Sequence, residues 1–263
     1  MRTRFAPTPS GYLHLGNLVN ARIASGLAAH HGGSLALRID QDDRERCRTE
    51  YTAYVFEALA ELGIAWHAGP RTPADAAAVD LDARTQYLRS ELALLPKDAV
   101  FACTCTRTSL IERACACRGR QLDLAPGATT LRLHLPRALA FVRDGRTVRL
   151  RDELGDPVLW RRDDLPAYHW ATVIDDRDLC ITHVVRGTDL VAASVLHRHI
   201  AGLIGAHDLA AARFLHHPLV QDASGAKLSK SAQVIARPPV LTREDCATVD
   251  ALATRLAAGM LET

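Results

Sequence analysis

Residues 2–39 constrain the fold more than any other stretch of the chain. RTRFA (2–6) reads as a strand, Pro7, Pro9 and Gly11 break it, and from Leu15 the segment LGNLVNARIASGLAAHH turns helical. Leu18, Ile23 and Leu27 fall near one face of that helix. GGSLALRID then supplies a turn and an apolar strand from Leu35 to Ile39. Strand, loop, helix, strand is a βαβ unit, which joins parallel strands through a right-handed crossover. An α/β fold with a parallel sheet is therefore expected.

The rest of the chain extends that pattern and interrupts it once. Residues 49–63 read as a helix with Val55, Leu59 and Leu62 as its apolar stripe and Gly63 as its stop. Residues 80–94 read as another. TTLRLHLP and RTVRLRD alternate as antiparallel strands do, whereas ATVIDD and ITHVVRG suggest a return to a buried sheet. Residues 191–206 are expected as a helix, FLHHPLV as a strand, and 242–258 as a last helix capped by Thr242. The expected division is 1–96 for the first half of the α/β domain, 97–160 for an inserted and partly antiparallel subdomain, 161–240 for the second half, and 241–263 for a C-terminal helix.

The chain has 263 residues, 48% of them hydrophobic and 24% charged, enough for a sizeable core. A net charge of +2 excludes a uniformly basic nucleic-acid coat and leaves a local basic surface open. No run approaches the ~20 apolar residues of a membrane span. No leader is expected at the N-terminus, so the expected compartment is the cytoplasm.

There, cysteines favour metal over disulfides. Four of the seven fall in FACTCTRTSLIERACACRGR, as Cys103, Cys105, Cys115 and Cys117. Thiolates gathered in a reducing compartment suit tetrahedral zinc, and four protein ligands leave no open position, so Zn2+ is expected as a structural ion. Cys180 lies in an apolar stretch and is expected in the core.

Two further segments carry chemistry. RFAPTPSGYLHLGN (4–17) ends where a helix begins, and a helix N-terminus offers unpaired N–H groups and partial positive charge to a phosphate. His14 would donate to a phosphate oxygen, and Gly16 would let a flat ring approach the backbone. GAKLSKSAQ (225–233) would bring Lys227 and Lys230 to the same phosphates. Together the two suit stabilisation of charge during attack at a phosphorus of a nucleoside triphosphate.

In these segments the sequence resembles the class I glutamyl-tRNA synthetases. RFAPTPSGYLHLGN resembles the N-terminal signature that ends in the HIGH motif, and KLSKS resembles the KMSKS loop. LRIDQDD (37–43), AYHWATVIDD and ITHVVRGTDL resemble further family segments, in the family's order, from about residue 2 to residue 235. The resemblance implies a Rossmann-like catalytic domain with an inserted zinc-bearing subdomain that contacts the acceptor end of tRNA. It implies ATP-dependent activation of glutamate, with Mg2+ accompanying ATP. His14, Gly16, Asn17, Lys227, Ser229 and Lys230 would bind ATP, with His14 and Lys230 catalytic. Arg4, Ala6, Thr8, Asp40, Tyr168 and Arg186 would line the amino-acid pocket. The arginines suit carboxylates, Asp40 suits the α-ammonium and Tyr168 the side-chain carboxylate.

The chain departs from the family at Asp40, where Glu is usual, at Thr8 for Ser, and at His169 for Asn, with Trp170 following. Its second C-x-C pair differs from the C-x-C, Tyr, Cys pattern of truncated relatives. The KLSKS loop lies close to the C-terminal end, so no anticodon-binding domain is expected. That architecture is similar to the glutamyl-Q tRNA(Asp) synthetases, which transfer glutamate to the queuosine base in the anticodon of tRNA(Asp). A monomer is expected. Another tRNA, a carrier protein or a small amine stays open as acceptor. So do a different amino acid, a non-catalytic module derived from a synthetase, and an unrelated nucleotidyltransferase.

Overall fold

The structure is a computed structural model that describes residues 1–112, 115–143, 145–220 and 240–262. In chain order its elements are β1 (Arg2–Phe5), α1 (Leu15–His30), β2 (Ser34–Leu37), α2 (Thr49–Glu61), α3 (Pro73–Ala77), α4 (Leu81–Ser90), β3 (Val100–Cys103), α5 (Arg107–Glu112), β4 (Thr130–Leu133), β5 (Ala140–Arg143), β6 (Arg146–Arg149), α6 (Leu150–Leu154), β7 (Val158–Trp160), α7 (Tyr168–Asp178), β8 (His183–Gly187), α8 (Val191–Leu203), α9 (His207–Ala210), β9 (Arg213–His217), α10 (Arg243–Ala257) and β10 (Leu261–Glu262). No helix among the described residues is long and apolar enough to cross a membrane.

The chain divides into two compact units, Met1–Asp80 with Leu179–Val191 and Ala212–Thr263, and Leu81–Asp178 with Ala192–Ala211. Helices α4 and α7 fall within the second unit, and α10 within the first.

In the first unit β1 pairs with β2 in parallel, from Arg2 opposite Ser34 to Phe5 opposite Leu37, as the βαβ reading expects. β8 pairs in parallel with β9, and β10 runs antiparallel to β9. The backbone N–H of Thr182 donates to Arg2 O at 2.9 Å, and that of Arg213 donates to Thr182 O at 3.0 Å. The starts of β1, β8 and β9 therefore lie together at one edge. Helix α1 covers these strands with Leu18, Val19, Ala21, Ile23, Ala24 and Ala28, all buried. Val19 and Val55 are fully buried in this core, each worth roughly 1.5–3 kcal/mol of transfer free energy. Thr242 caps α10 as expected, with Asp245 closing the capping box.

The second unit carries an antiparallel sheet in the order β3-β4-β7 and a β5-β6 hairpin. Here one expectation is corrected. ATVIDD is not a strand but the middle of α7, whose buried face is Trp170, Ala171, Thr172, Val173, Ile174 and Asp176. A short apolar run does not reveal its period, and tertiary contacts decide it. Trp170 is fully buried and donates Nε1–H to Leu88 O at 2.8 Å, while Arg84 reaches Asp175 at 2.6 Å and Arg177 reaches Glu91 at 2.5 Å. These bonds tie α7 to α4 and the turn after it.

Cys180 is also corrected. It is exposed, with φ at +51°, in the turn that ends α7. A residue that stops a helix in the left-handed region is placed by the turn and not by its hydrophobicity.

Trp170→Phe leaves the Leu88 carbonyl buried and unpaired. It is expected to lower stability by about 1–3 kcal/mol in urea denaturation.

Candidate functional site

The start of α1 is built by its own cap. His14 is the N-cap residue; its Nδ1 accepts from the Gly16 N–H at 3.1 Å, and Asn17 Oδ1 accepts from the His14 N–H at 3.2 Å. Backbone N–H groups of Asn17 and Leu18 donate to His14 O at 2.8 and 3.3 Å. The amides of Gly16, Asn17 and Leu18 are thus engaged within the cap. An anion at this helix start would meet the positive end of the helix dipole.

The His14 imidazole itself lies close to Gly16. A Cβ at Gly16 would stand 3.0 Å from His14 Cε1 and 3.1 Å from Nδ1, so close that the imidazole would have to give way by a few tenths of an ångström. Val220 approaches the same point from the segment after β9, at 3.9 Å.

Around this helix start lie the carboxylate-binding candidates of the first unit. Arg4 and Arg186 are the next-to-last residues of β1 and β8, strands that lie side by side and start together, and they are 5% and 4% exposed. Buried guanidinium groups at the carboxyl ends of parallel strands stand where open α/β sheets take their ligands. Arg186 also lies over the Phe214 ring, 5.6 Å from its centroid. Ala6 and Thr8 are half-buried on either side of buried Pro7. Pro7 O accepts from the Asp40 N–H at 3.0 Å, which fixes Asp40 to this loop.

Asp40 differs from its sequence expectation in one respect. Its carboxylate already holds Arg38, Nε to Oδ1 at 2.5 Å and Nη2 to Oδ2 at 3.2 Å. A ligand ammonium would share that carboxylate and not meet it alone. Tyr168 belongs to the second unit, at the start of α7, 45% exposed. Lys227, Ser229 and Lys230 lie outside the described residues.

The second unit brings the four cysteines together. Cys103 ends β3, and Cys115 and Cys117 lie at the turn that follows α5. Their Sγ atoms lie within 4.8 Å of one another, with Cys103–Cys115 at 3.6 Å, Cys105–Cys117 at 3.7 Å and Cys105–Cys115 at 3.9 Å. Zn–S bonds of about 2.3 Å in a tetrahedron put sulfurs about 3.8 Å apart, so the cluster fits zinc.

Each C-x-C half also builds the same knuckle. The Cys105 N–H donates to Cys103 Sγ at 3.3 Å and the Cys117 N–H to Cys115 Sγ at 3.4 Å. That regularity is why the second C-x-C serves as well as the first. Burial pushes the Cys115 thiol up to about 12. At Cys117 burial acts in the same sense, but hydrogen bonds from the Thr104 backbone and hydroxyl and from the Cys105 and Cys103 thiols outweigh it and bring the thiol down to about 6. Four thiolates this close need a cation to balance them.

Sequence reasoning missed the surroundings of this cluster. An open groove of about 800 Å³ runs through the second unit, lined among others by Cys105, Thr130, Arg132, Arg162, Tyr168 and His169. His169 Nδ1 stands 3.1 Å from Nε2 of buried His197. Trp170, by contrast, faces the core. Of its lining, Cys105, Tyr168 and His169 were singled out in the sequence, but not that they share one groove.

The family model for the catalytic domain of class I tRNA synthetases (E and Q) matches residues 1–121 and 118–247. The chain is 36% identical over 240 residues to the glutamyl-Q tRNA(Asp) synthetase of Methylococcus capsulatus, covering 88% of this chain and 76% of that protein. It is 34% identical to glutamate–tRNA ligase 1 of Syntrophus aciditrophicus, covering 88% of this chain but only 50% of the ligase. A glutamate tRNA ligase of Elizabethkingia meningosepticum, solved in complex with its amino acid, superposes with a TM-score of 0.67 at 27% identity, over 88% of this chain and 52% of that one.

Purified, untagged protein is expected to contain about one zinc per chain by elemental analysis. Stripping the ion with a chelator should expose the four cluster thiols to a thiol reagent. Cys117→Ser should lower the zinc content and weaken the second unit.

Proposed function

The chain belongs to the class I tRNA synthetases of the E and Q group, and on that premise we propose that it activates glutamate with ATP and passes the glutamyl group to tRNA. The observation that carries this reading is the pair of buried arginines, Arg4 and Arg186, at adjacent strand ends beside the capped start of α1. A dicarboxylic amino acid explains two buried cations there better than a neutral one, because each guanidinium forms charge-assisted bonds to a carboxylate.

In the first step a carboxylate oxygen of glutamate attacks the α-phosphorus of ATP. The new bond is P–O, the bond to the β-phosphate oxygen breaks, and pyrophosphate leaves with its electron pair. Mg2+ would accompany the phosphates. The chain's own part is positioning and electrostatics. The dipole of α1 and the His14 imidazole would face the nucleotide, with Asn17 and Gly16 fixing that helix end. Arg4 and Arg186 would orient glutamate, and Asp40 would share its charge between Arg38 and the ligand ammonium. Ala6, Thr8 and Tyr168, and Lys227, Ser229 and Lys230 as the phosphate clamp, enter this reading on the sequence match alone.

In the second step a nucleophile of the acceptor attacks the glutamyl carbonyl and AMP leaves. The acceptor in this reading is the queuosine base in the anticodon of tRNA(Asp). Support comes from the relative of that name, 76% of which the chain spans, against about half of the glutamate–tRNA ligases. The arginine-bearing groove beside the zinc cluster suits a phosphate-bearing acceptor. Zinc in this reading is structural, the protein works as a monomer, and ATP and tRNA place it in the cytoplasm.

ATP–pyrophosphate exchange with each amino acid, without tRNA, is expected to respond to glutamate alone; exchange with a neutral amino acid instead would overturn the substrate. Arg4→Ala and Arg186→Ala should each lower kcat/KM for glutamate by about 10- to 150-fold, the worth of one charge-assisted partner. Lys230→Ala should cut exchange with its melting curve unchanged. Labelled glutamate should then appear on tRNA(Asp) that carries queuosine and not on tRNA(Asp) that lacks it.

A further inference from the structure

The segment that leaves β9 is bolted to the start of the site by a side chain with no assigned role. His217, the last residue of β9, is 4% exposed. Its Nε2 lies 3.1 Å from Asn20 Nδ2, and its Nδ1 lies 2.8 Å from Pro218 O. Asn20 Nδ2 also donates to Val185 O at 3.3 Å. That carbonyl takes one amide hydrogen, so the second points at His217 and Nε2 must accept it. Nδ1 then carries the proton and donates to Pro218 O. The hydrogen-bond partners allow one state of the ring: neutral, with the proton on Nδ1.

These bonds join α1, the end of β8 and the exit of β9. The next residues then lie over two glycines of the site. A Cβ on Gly187 would stand 2.8 Å from Leu219 Cδ2, and one on Gly16 would stand 3.9 Å from Val220 Cβ. Segment 217–220 therefore seats directly on the residue after Arg186 and on the residue that His14 caps.

We propose that His217 is a positioning residue: through Asn20 it fixes segment 217–220 against the start of α1 and the end of β8. The proposal rests on the reading of that helix start as the ATP site. A proton on Nε2 would face the Asn20 amide hydrogens and open the link. Burial already lowers the ring from its ordinary 6.5, against the Pro218 bond and the Asp189 carboxylate, which both favour the charged form. Asp189 follows β8, Asn20 on α1 is uncharged, and the neighbouring His216 points to the other side of the strand. An unfolded ring takes its proton near 6.5 while the folded ring resists. The link thus contributes fully above pH 6.5 and is lost as pH falls through the lowered folded value.

Four variants and one spectrum test it. His217→Phe keeps the ring's bulk and removes both bonds; kcat/KM for ATP in the exchange assay should fall about tenfold, chiefly through KM. His217→Gln places an oxygen where Nε2 stood; activity should return and the acid limb of the wild-type pH profile, below pH 6.5, should vanish. Adding Asn20→Ala to His217→Phe should cost little more than either alone. On the wild-type protein, nitrogen NMR should show His217 neutral with its proton on Nδ1 at pH 7.5. A proton on Nε2, a charged ring, a Phe variant equal to wild type, or additive losses would overturn the proposal. If the wild type shows no exchange with any amino acid, the functional reading fails, and the spectrum still decides the state of the link.

Discussion

Two backbone hydrogen bonds at the strand starts, Thr182 N–H to Arg2 O and Arg213 N–H to Thr182 O, set the geometry on which the first unit depends. They align three strands that lie far apart in sequence. Parallel strands that begin together and have similar lengths also end together. Arg4 and Arg186 are the next-to-last residues of β1 and β8, two strands in contact, and the loop from β1 leads to the start of α1. A slip of one residue in any strand would turn the arginine of that strand to the opposite face.

That alignment places charge where it is costly. Buried guanidinium groups, a carboxylate already paired with Arg38, and a helix dipole whose first amides are tied up by a histidine do little for stability. In the proposed reading they form a preorganised setting for anions, which spares reorganisation during the reaction. The second unit solves a different problem. Its cysteine loops have little apolar surface of their own, with Phe101 and Leu122 packed against the thiols, so a metal ion is the natural means of holding them.

Much of this was legible in the residues. The βαβ start was readable because Pro7, Pro9 and Gly11 separate two segments of different period. Cap residues and the paired C-x-C spacing were readable because they act over three residues or fewer. Where long-range contacts decide, reading failed. ATVIDD has the composition of a buried strand, but a tryptophan bond to Leu88 and ion pairs to α4 and the turn after it make it a helix. Cys180 has the polarity of a core residue and sits exposed in a left-handed turn. That the His14 ring lies close to Gly16 was not legible.

By itself the sequence determined the fold class, carried the family in its motifs, and offered the residues proposed here for a nucleotide, an acidic ligand and a metal, because motifs and caps are local in the chain. Only the tertiary structure decided which of those groups already have partners. Asp40 holds Arg38, His14 holds the amide of Gly16, and His217 is locked between Asn20 and its own neighbour's carbonyl. Hydrogen bonds between groups as far apart in the chain as Asn20 and His217 exist only once the strands are aligned. No periodicity records them.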